Sequence, residues 1–247
     1  MAARLRDDGG DRFHARAQTG CGGSVTVSPV LQRPPREARS IDLFSAALRG
    51  EPCMVLGLER GPVRMPMARW ADDADESDDV VLAHCHGPTL DIGCGPGRMS
   101  VALAAHGVCA LGIDVVPEAV ARTRARGASA ILRDVFGRVP AEGRWHTALL
   151  ADGNIGIGGD PVRLLRRVSE LVSDEGRLLV DLSEPGLGVA TRALRLQVGG
   201  HWSELFAWSV LAPEALPEAA AGAGLRIREV RQHRGRWFAV LDKGGMV

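Results

Sequence analysis

The 247-residue sequence predicts an α/β fold: a doubly wound, mostly parallel sheet of seven strands closed by a terminal antiparallel hairpin, behind an N-terminal cap segment. Three observations carry this reading. From residue 88 onward, short β-branched or Leu-rich runs alternate with amphipathic runs, the pattern of βαβ units. TLDIGCGPGRMS, residues 89–100, passes from a buried-strand pattern through glycines at 93, 95 and 97 into an Ala-rich helical run. Near the end, RIREVRQHRGRWFAVLDK reads as two strands joined at Arg234-Gly235.

Composition narrows the function classes. With 30 basic and 30 acidic residues the net charge is zero, so the footprint of a protein that grips phosphates along a duplex is absent and no nucleic-acid partner is expected. The five cysteines have no paired spacing, which argues against a disulfide framework. Cys85 between His84 and His86 raises the question of a metal. A second ligand cluster is missing and adjacent strand residues point to opposite faces, so no metal site is expected. No apolar run approaches bilayer length, and the N-terminus has arginines without an apolar signal core. A soluble cytoplasmic protein with no membrane partner is the expectation.

Residues 1–39, rich in Arg, Gly, Ser and Pro, are expected to form a disordered tail. Residues 40–87 form the cap. In it, SIDLFSAALRG reads as a helix capped by Ser40, with Ile41, Leu43, Phe44 and Leu48 as its stripe and Gly50 as its stop. Irregular strands or loop then lead to Trp70. Six acids within 72–79 read as a solvated helix start, where they suit the positive end of the helix dipole. Residues 88–247 form the main domain, with strands at 89–92, 109–113, 129–133, 147–151 and 177–182 and helices at 98–106, 117–126 and 161–173. A hairpin about Gly199-Gly200 follows, then a glycine-ended helix in APEALPEAAAGAGL.

A strand, a glycine turn and a helix place backbone N–H groups at the carboxyl edge of a parallel sheet, where ligands bind in open α/β folds. Glycine permits positive φ and removes the Cβ that would block a ligand lying on the backbone. The spacing excludes a triphosphate loop, which needs G-x-x-x-x-G-K-[ST], and departs from the G-x-G-x-x-G of dinucleotide folds.

Asp91 followed by the alternate glycines 93, 95 and 97 resembles motif I of the class I S-adenosylmethionine-dependent methyltransferases. The resemblance covers about 88–242 and continues in order through ALGIDVVPEAV, AILRDVF, TALLADGNIG and GRLLVDLSEPG at the next four strands. It implies a Rossmann-like sheet and S-adenosyl-L-methionine as cofactor. It also implies roles. Asp114 accepts from the ribose hydroxyls, Asp134 faces the adenine amino group, and the Val135 N–H meets a ring nitrogen. The loop of Gly93, Cys94, Gly95 and Gly97 passes under the methionine and ribose portions, Asp91 holds the ammonium, and Val115 and Asp152 complete the binding set. Structural readings stand beside these: Asp91 as a loop brace, Asp114 as a helix cap, Asp134 as the start of a turn, Cys94 as a small packed residue. Arg98 either reaches the cofactor carboxylate or faces solvent.

A sulfonium already activates its methyl group, so the protein's task is to align an O, N or C nucleophile for in-line displacement. The fourth-strand segment Asp152-Gly153-Asn154-Ile155 departs from the [DN]-P-P-[YF] of enzymes acting on nucleobases or glutamine, which points to a small-molecule acceptor. Asp152 and Asn154 either position a ligand or shape the turn. His201 is the candidate base, with ordinary surface as the alternative. Strand alternation puts Trp202, Glu204, Phe206 and Trp208 on one face, where with Trp70 they wall the acceptor or fill the core. Two alternatives remain: a cofactor-binding module without catalysis, and an NAD-dependent oxidoreductase, which the glycine spacing disfavours.

Overall fold

The computed structural model describes residues 37–58 and 60–244. The tail expected over 1–39 lies outside them except for its last three residues. In chain order the elements are β1 (Glu37–Ala38), α1 (Ser40–Leu48), β2 (Cys53–Leu56), β3 (Val63–Arg64), α2 (Met67–Ala71), α3 (Glu76–Leu82), β4 (Thr89–Ile92), α4 (Arg98–Ala105), β5 (Ala110–Asp114), α5 (Pro117–Ala125), β6 (Ala130–Leu132), β7 (Trp145–Leu150), α6 (Pro161–Leu171), β8 (Val172–Leu182), β9 (Val189–Val198), β10 (His201–Ser203), β11 (Phe206–Leu211), α7 (Leu216–Gly222), β12 (Leu225–His233) and β13 (Arg236–Lys243).

The main sheet has seven strands in the order β12-β13-β8-β7-β4-β5-β6. The β4–β5, β4–β7, β5–β6 and β7–β8 pairs are parallel, and β13 lies antiparallel between β8 and β12. The order reverses at β4, which has β5 on one side and β7 on the other, and ligands bind at such a switch point.

Period-two burial divides the strands between two layers. On β7 and β8, Ala148, Leu150, Leu178 and Val180 join α6 and α7, whereas Leu149 and Leu179 join α3, α4 and Phe238. Helix α6 shows the matching 3.6-residue stripe: Leu164, Leu165, Val168 and Leu171 are fully buried, each stabilising the fold by roughly 1.5–3 kcal/mol.

The cap is a second small sheet. Strand β9 pairs antiparallel with β2 on one edge and with β10 and β11 on the other; β3 extends β2 and β1 adds parallel to β10. Helix α1 packs Leu43 and Ala47 on Val55, Leu194, Leu196 and Val198 of this sheet. The cap therefore joins residues 37–71 to 189–211, and α3 belongs instead to the main sheet, where Val81 and Leu82 pack on Met99 and Leu103.

Three local expectations need correction. Ser40 does not cap α1: its N–H and hydroxyl both donate to the Glu204 carboxylate, at 2.9 and 2.8 Å, so an acid of the neighbouring hairpin holds this helix start. The acids of 72–79 are not all solvated. Asp75 caps α3 in a capping box with Asp78, and Asp78 is fully buried. The hairpin about Gly199-Gly200 carries a bulge: Trp202 opposes Gln197 and Phe206 opposes Leu194, so four steps on one strand face three on the other. The extra residue moves Trp202 to the face opposite Phe206 and Trp208.

Candidate active site

The loop from β4 to α4 crosses the carboxyl edge of the sheet at the switch point. Gly93 and Cys94 donate to the Ile113 carbonyl at 2.8 and 3.1 Å, tying the loop to β5. Each of the three alternating glycines answers a different constraint. A Cβ at Gly93 would stand 2.7 Å from the Asn154 amide nitrogen, which donates to the carbonyls of Ile92 and Gly93. At Gly97, with φ +93°, a Cβ would stand 2.7 Å from Thr123 Oγ1. Gly95, with φ +55°, has nothing within 4 Å of the Cβ position: the backbone there is bare toward open space.

That space is a cleft of about 630 Å³. Nine of the ten predicted cofactor residues line it: Asp91, Gly93, Cys94, Gly95, Asp114, Val115, Asp134, Val135 and Asp152. Gly97 does not. It is the N-cap of α4 and serves the packing of α4 on α5, which the spacing alone did not separate from ligand contact. Cys94 contributes backbone; its buried Sγ lies 3.9 Å from Thr123 Oγ1, and burial pushes its thiol well above the ordinary range.

Asp114, at the end of β5, accepts from Gly95 N–H at 2.9 Å and Val116 N–H at 2.8 Å, so it braces the bare loop and the start of α5 at once. Burial raises its pKa, opposed by those backbone donors. An ionised carboxylate has about four acceptor sites, so two remain for a ligand. Asp91 faces α4 and accepts from Ser100 Oγ at 2.6 Å; burial pushes its pKa up to about 6. Asp134 is exposed at the rim and turns the chain by accepting from Phe136 N–H at 2.9 Å.

Arg98 neither faces solvent nor is left free for a ligand. It is 4% exposed, pairs with Asp78 and binds both oxygens of Asp152 at 2.6 and 2.5 Å. Arg236 at the start of β13 joins Asp78 to Asp181, and Asp181 accepts the Asp152 N–H at 2.7 Å. Burial pushes the Asp78 carboxyl up, but the donors from Arg98, Asp75 and Arg236 outweigh it and hold the group below the ordinary range. The chain thereby fixes Asp152 at φ +53°, with Gly153 and Asn154 following under the loop.

The opposite wall comes from the cap. Phe44, Met65, Met67, Trp70, Phe206 and Trp208 line the same cleft. Trp202 does not, as the bulge requires. His201 is exposed beside the hairpin turn and stands outside the lining, so the predicted base is not placed at the site. Among the described residues, no group of three His, Cys, Asp or Glu side chains is arranged to hold a metal ion, and no helix is long and apolar enough to cross a membrane. His84 and Cys85 are occupied elsewhere: His84 Nδ1 lies 2.9 Å from the Val80 carbonyl and Cys85 packs into the α3–α4 core.

Residues 89–176 match the family model described as a methyltransferase domain. That match runs from β4 to the first residues of β8. Among solved structures, the chain is similar to an S-adenosylmethionine-dependent methyltransferase from Bacteroides fragilis in complex with S-adenosyl-L-homocysteine. That likeness has 20% identity and a TM-score of 0.71, over 86% of this chain and 97% of that one. A 1,6-didemethyltoxoflavin N1-methyltransferase from Burkholderia thailandensis is 16% identical, with a TM-score of 0.55 over 79% of this chain and 100% of its own. A sugar N-methyltransferase from Streptoalloteichus is 18% identical, with a TM-score of 0.51 over 71% and 88%. No curated protein matches the chain in sequence.

Proposed function

We propose that the chain transfers the methyl group of S-adenosyl-L-methionine to a small molecule by in-line displacement. The observation that carries this is the shared cleft: the bare loop at Gly95, the Asp114 carboxylate and the apolar cap wall open on one cavity of about 630 Å³. That is the size range of small-ligand sites. Its lining is drawn from the main sheet's edge and from the cap, with Arg98 and Arg133 as its basic residues, which suits a compact acceptor. The Burkholderia and Streptoalloteichus proteins, described as methyltransferases of 1,6-didemethyltoxoflavin and of a sugar, are consistent with an acceptor of this size.

The residues fit the cofactor. Asp114 would accept from the ribose hydroxyls with the lone pairs its backbone donors leave free, and Gly95 would lie under the ligand where a side chain would collide. Asp134 and Val135 would border the base, and Asp91 the ammonium. When bound, the cofactor supplies an activated methyl group; the chain's own work is to align the acceptor and exclude water, worth up to roughly 7–11 kcal/mol in well-oriented reactions. Arg98 and Asp181 act behind Asp152, holding it in place.

Calorimetric titration with S-adenosyl-L-homocysteine tests the reading. Saturable one-site binding is expected, weakened about 10- to 150-fold by Asp114→Ala, since hydrogen bonds to a charged group are worth about 1.5–3 kcal/mol. No binding to the intact chain would overturn it.

A further inference from the structure

The wall of the cleft is chemically divided. On the loop side stand the carboxylates of Asp91, Asp114, Asp134 and Asp152 with the guanidinium groups of Arg98 and Arg133. On the cap side, α1, β2, α2, β9 and β11, with Leu58, Met65 and Pro66, present apolar and aromatic groups. Ser40 brings a hydroxyl, already committed to Glu204 at 2.8 Å. Among the described residues, no cap-side lining residue has a side chain that accepts or releases a proton near neutral pH.

Burial acts with opposite sign on the possible acceptors. A phenol, thiol or carbon acid reacts as its anion, and desolvation raises its pKa, leaving it protonated and in need of a base. An amine reacts in its uncharged form, which is the form that an apolar wall favours.

On the function proposed above, we infer that the acceptor is an apolar secondary or tertiary amine that binds uncharged against the cap wall and needs no general base from the protein. The nitrogen lone pair forms the N–C bond while the C–S bonding pair stays on sulfur, so the positive charge passes from the sulfonium to the product ammonium. A tertiary amine leaves as a quaternary cation; a secondary amine gives its proton to water after release. Phe44, Trp70, Phe206 and Trp208 size the pocket for a flat or bulky hydrocarbon body.

The test uses the full chain saturated with S-adenosyl-L-homocysteine and titrated with N,N-dimethyl-1-naphthylmethylamine, with tryptophan fluorescence and calorimetry as readouts, between about pH 7 and 9. Affinity is expected to fall about tenfold for each pH unit below the amine's solution pKa, because only the uncharged fraction binds. With S-adenosyl-L-methionine the amine is methylated, and 2-naphthol, of the same aromatic body, is not. An affinity that does not change with pH, no amine binding, no transfer to the amine, or faster methylation of the naphthol would overturn the inference while leaving the cofactor reading standing. Failure of S-adenosyl-L-homocysteine to bind would remove both.

Discussion

Replacing Gly95 by alanine separates a ligand cradle from a merely structural turn. The added Cβ meets no atom within 4 Å, so its cost to the folded chain is the left-handed φ of +55° alone, about 1–2 kcal/mol. For a domain of this size that lowers Tm by about 2–8 °C. Gly97→Ala differs: besides φ +93°, its Cβ falls 2.7 Å from Thr123 Oγ1 and 3.0 Å from Thr123 Cα, adding about 1–3 kcal/mol of overpacking. Its Tm should fall by about 4–20 °C. In the cofactor assay, the Gly95 methyl occupies space assigned to the ligand, for a loss of about 1–3 kcal/mol, or about 5- to 150-fold in affinity. Differential scanning fluorimetry and calorimetry with S-adenosyl-L-homocysteine read the two effects. Unchanged cofactor affinity in Gly95→Ala would refute the reasoning, since the bare backbone would then have nothing lying on it.

Three further outcomes follow from the same geometry. The Asp91 pKa is raised to about 6 from an ordinary 3.8, so its ionised form destabilises the fold; the cost is absent below about pH 4 and fully present above about pH 6, where it amounts to about 3 kcal/mol. Asp91→Asn, which keeps an acceptor for Ser100, should therefore raise Tm at pH 8 more than at pH 5, and an equal shift at both would contradict this. Asp78→Ala leaves Arg98 and Arg236 without their common partner and should cost about 3–5 kcal/mol, a fall in Tm of about 6–20 °C. Glu204→Ala removes the acceptor that holds the start of α1, and amide exchange across 40–48 should quicken while that of α6 does not change; unchanged exchange across 40–48 would rule out Glu204 as the anchor.

What was legible in the sequence is local. The strands at 89–92 and 177–182, the helix read over 161–173, which ends at Leu171 where β8 begins, and the closing hairpin at Arg234-Gly235 announce themselves through period, branching and turn chemistry within a few residues. The glycine loop with Asp91 and Asp114 is legible for the same reason, because strand-end carboxylates recur at βα spacing. What was not legible depends on partners distant in the chain. The acid run at 72–79 looks solvated until Arg98, 20 residues on, and Arg236, 158 residues on, meet Asp78. Ser40 looks like a cap until Glu204 arrives from the hairpin. A single bulged residue between Trp202 and Phe206 leaves no mark on the alternation, yet it sends Trp202 to the far face. For Arg98, the signal available was its place at the first position of a helix beginning at the sheet edge, where a buried arginine requires carboxylate partners.

The central claim is that the Gly95 backbone and the Asp114 carboxylate together cradle a nucleoside joined to an amino acid. A crystal of the chain grown with S-adenosyl-L-homocysteine tests it most directly. The account predicts ribose hydroxyls within hydrogen-bond reach of Asp114, the chain of the ligand crossing Gly95, and its sulfur facing the aromatic cap wall. A ligand seated elsewhere, with Asp114 still turned only to its own backbone donors, would contradict it.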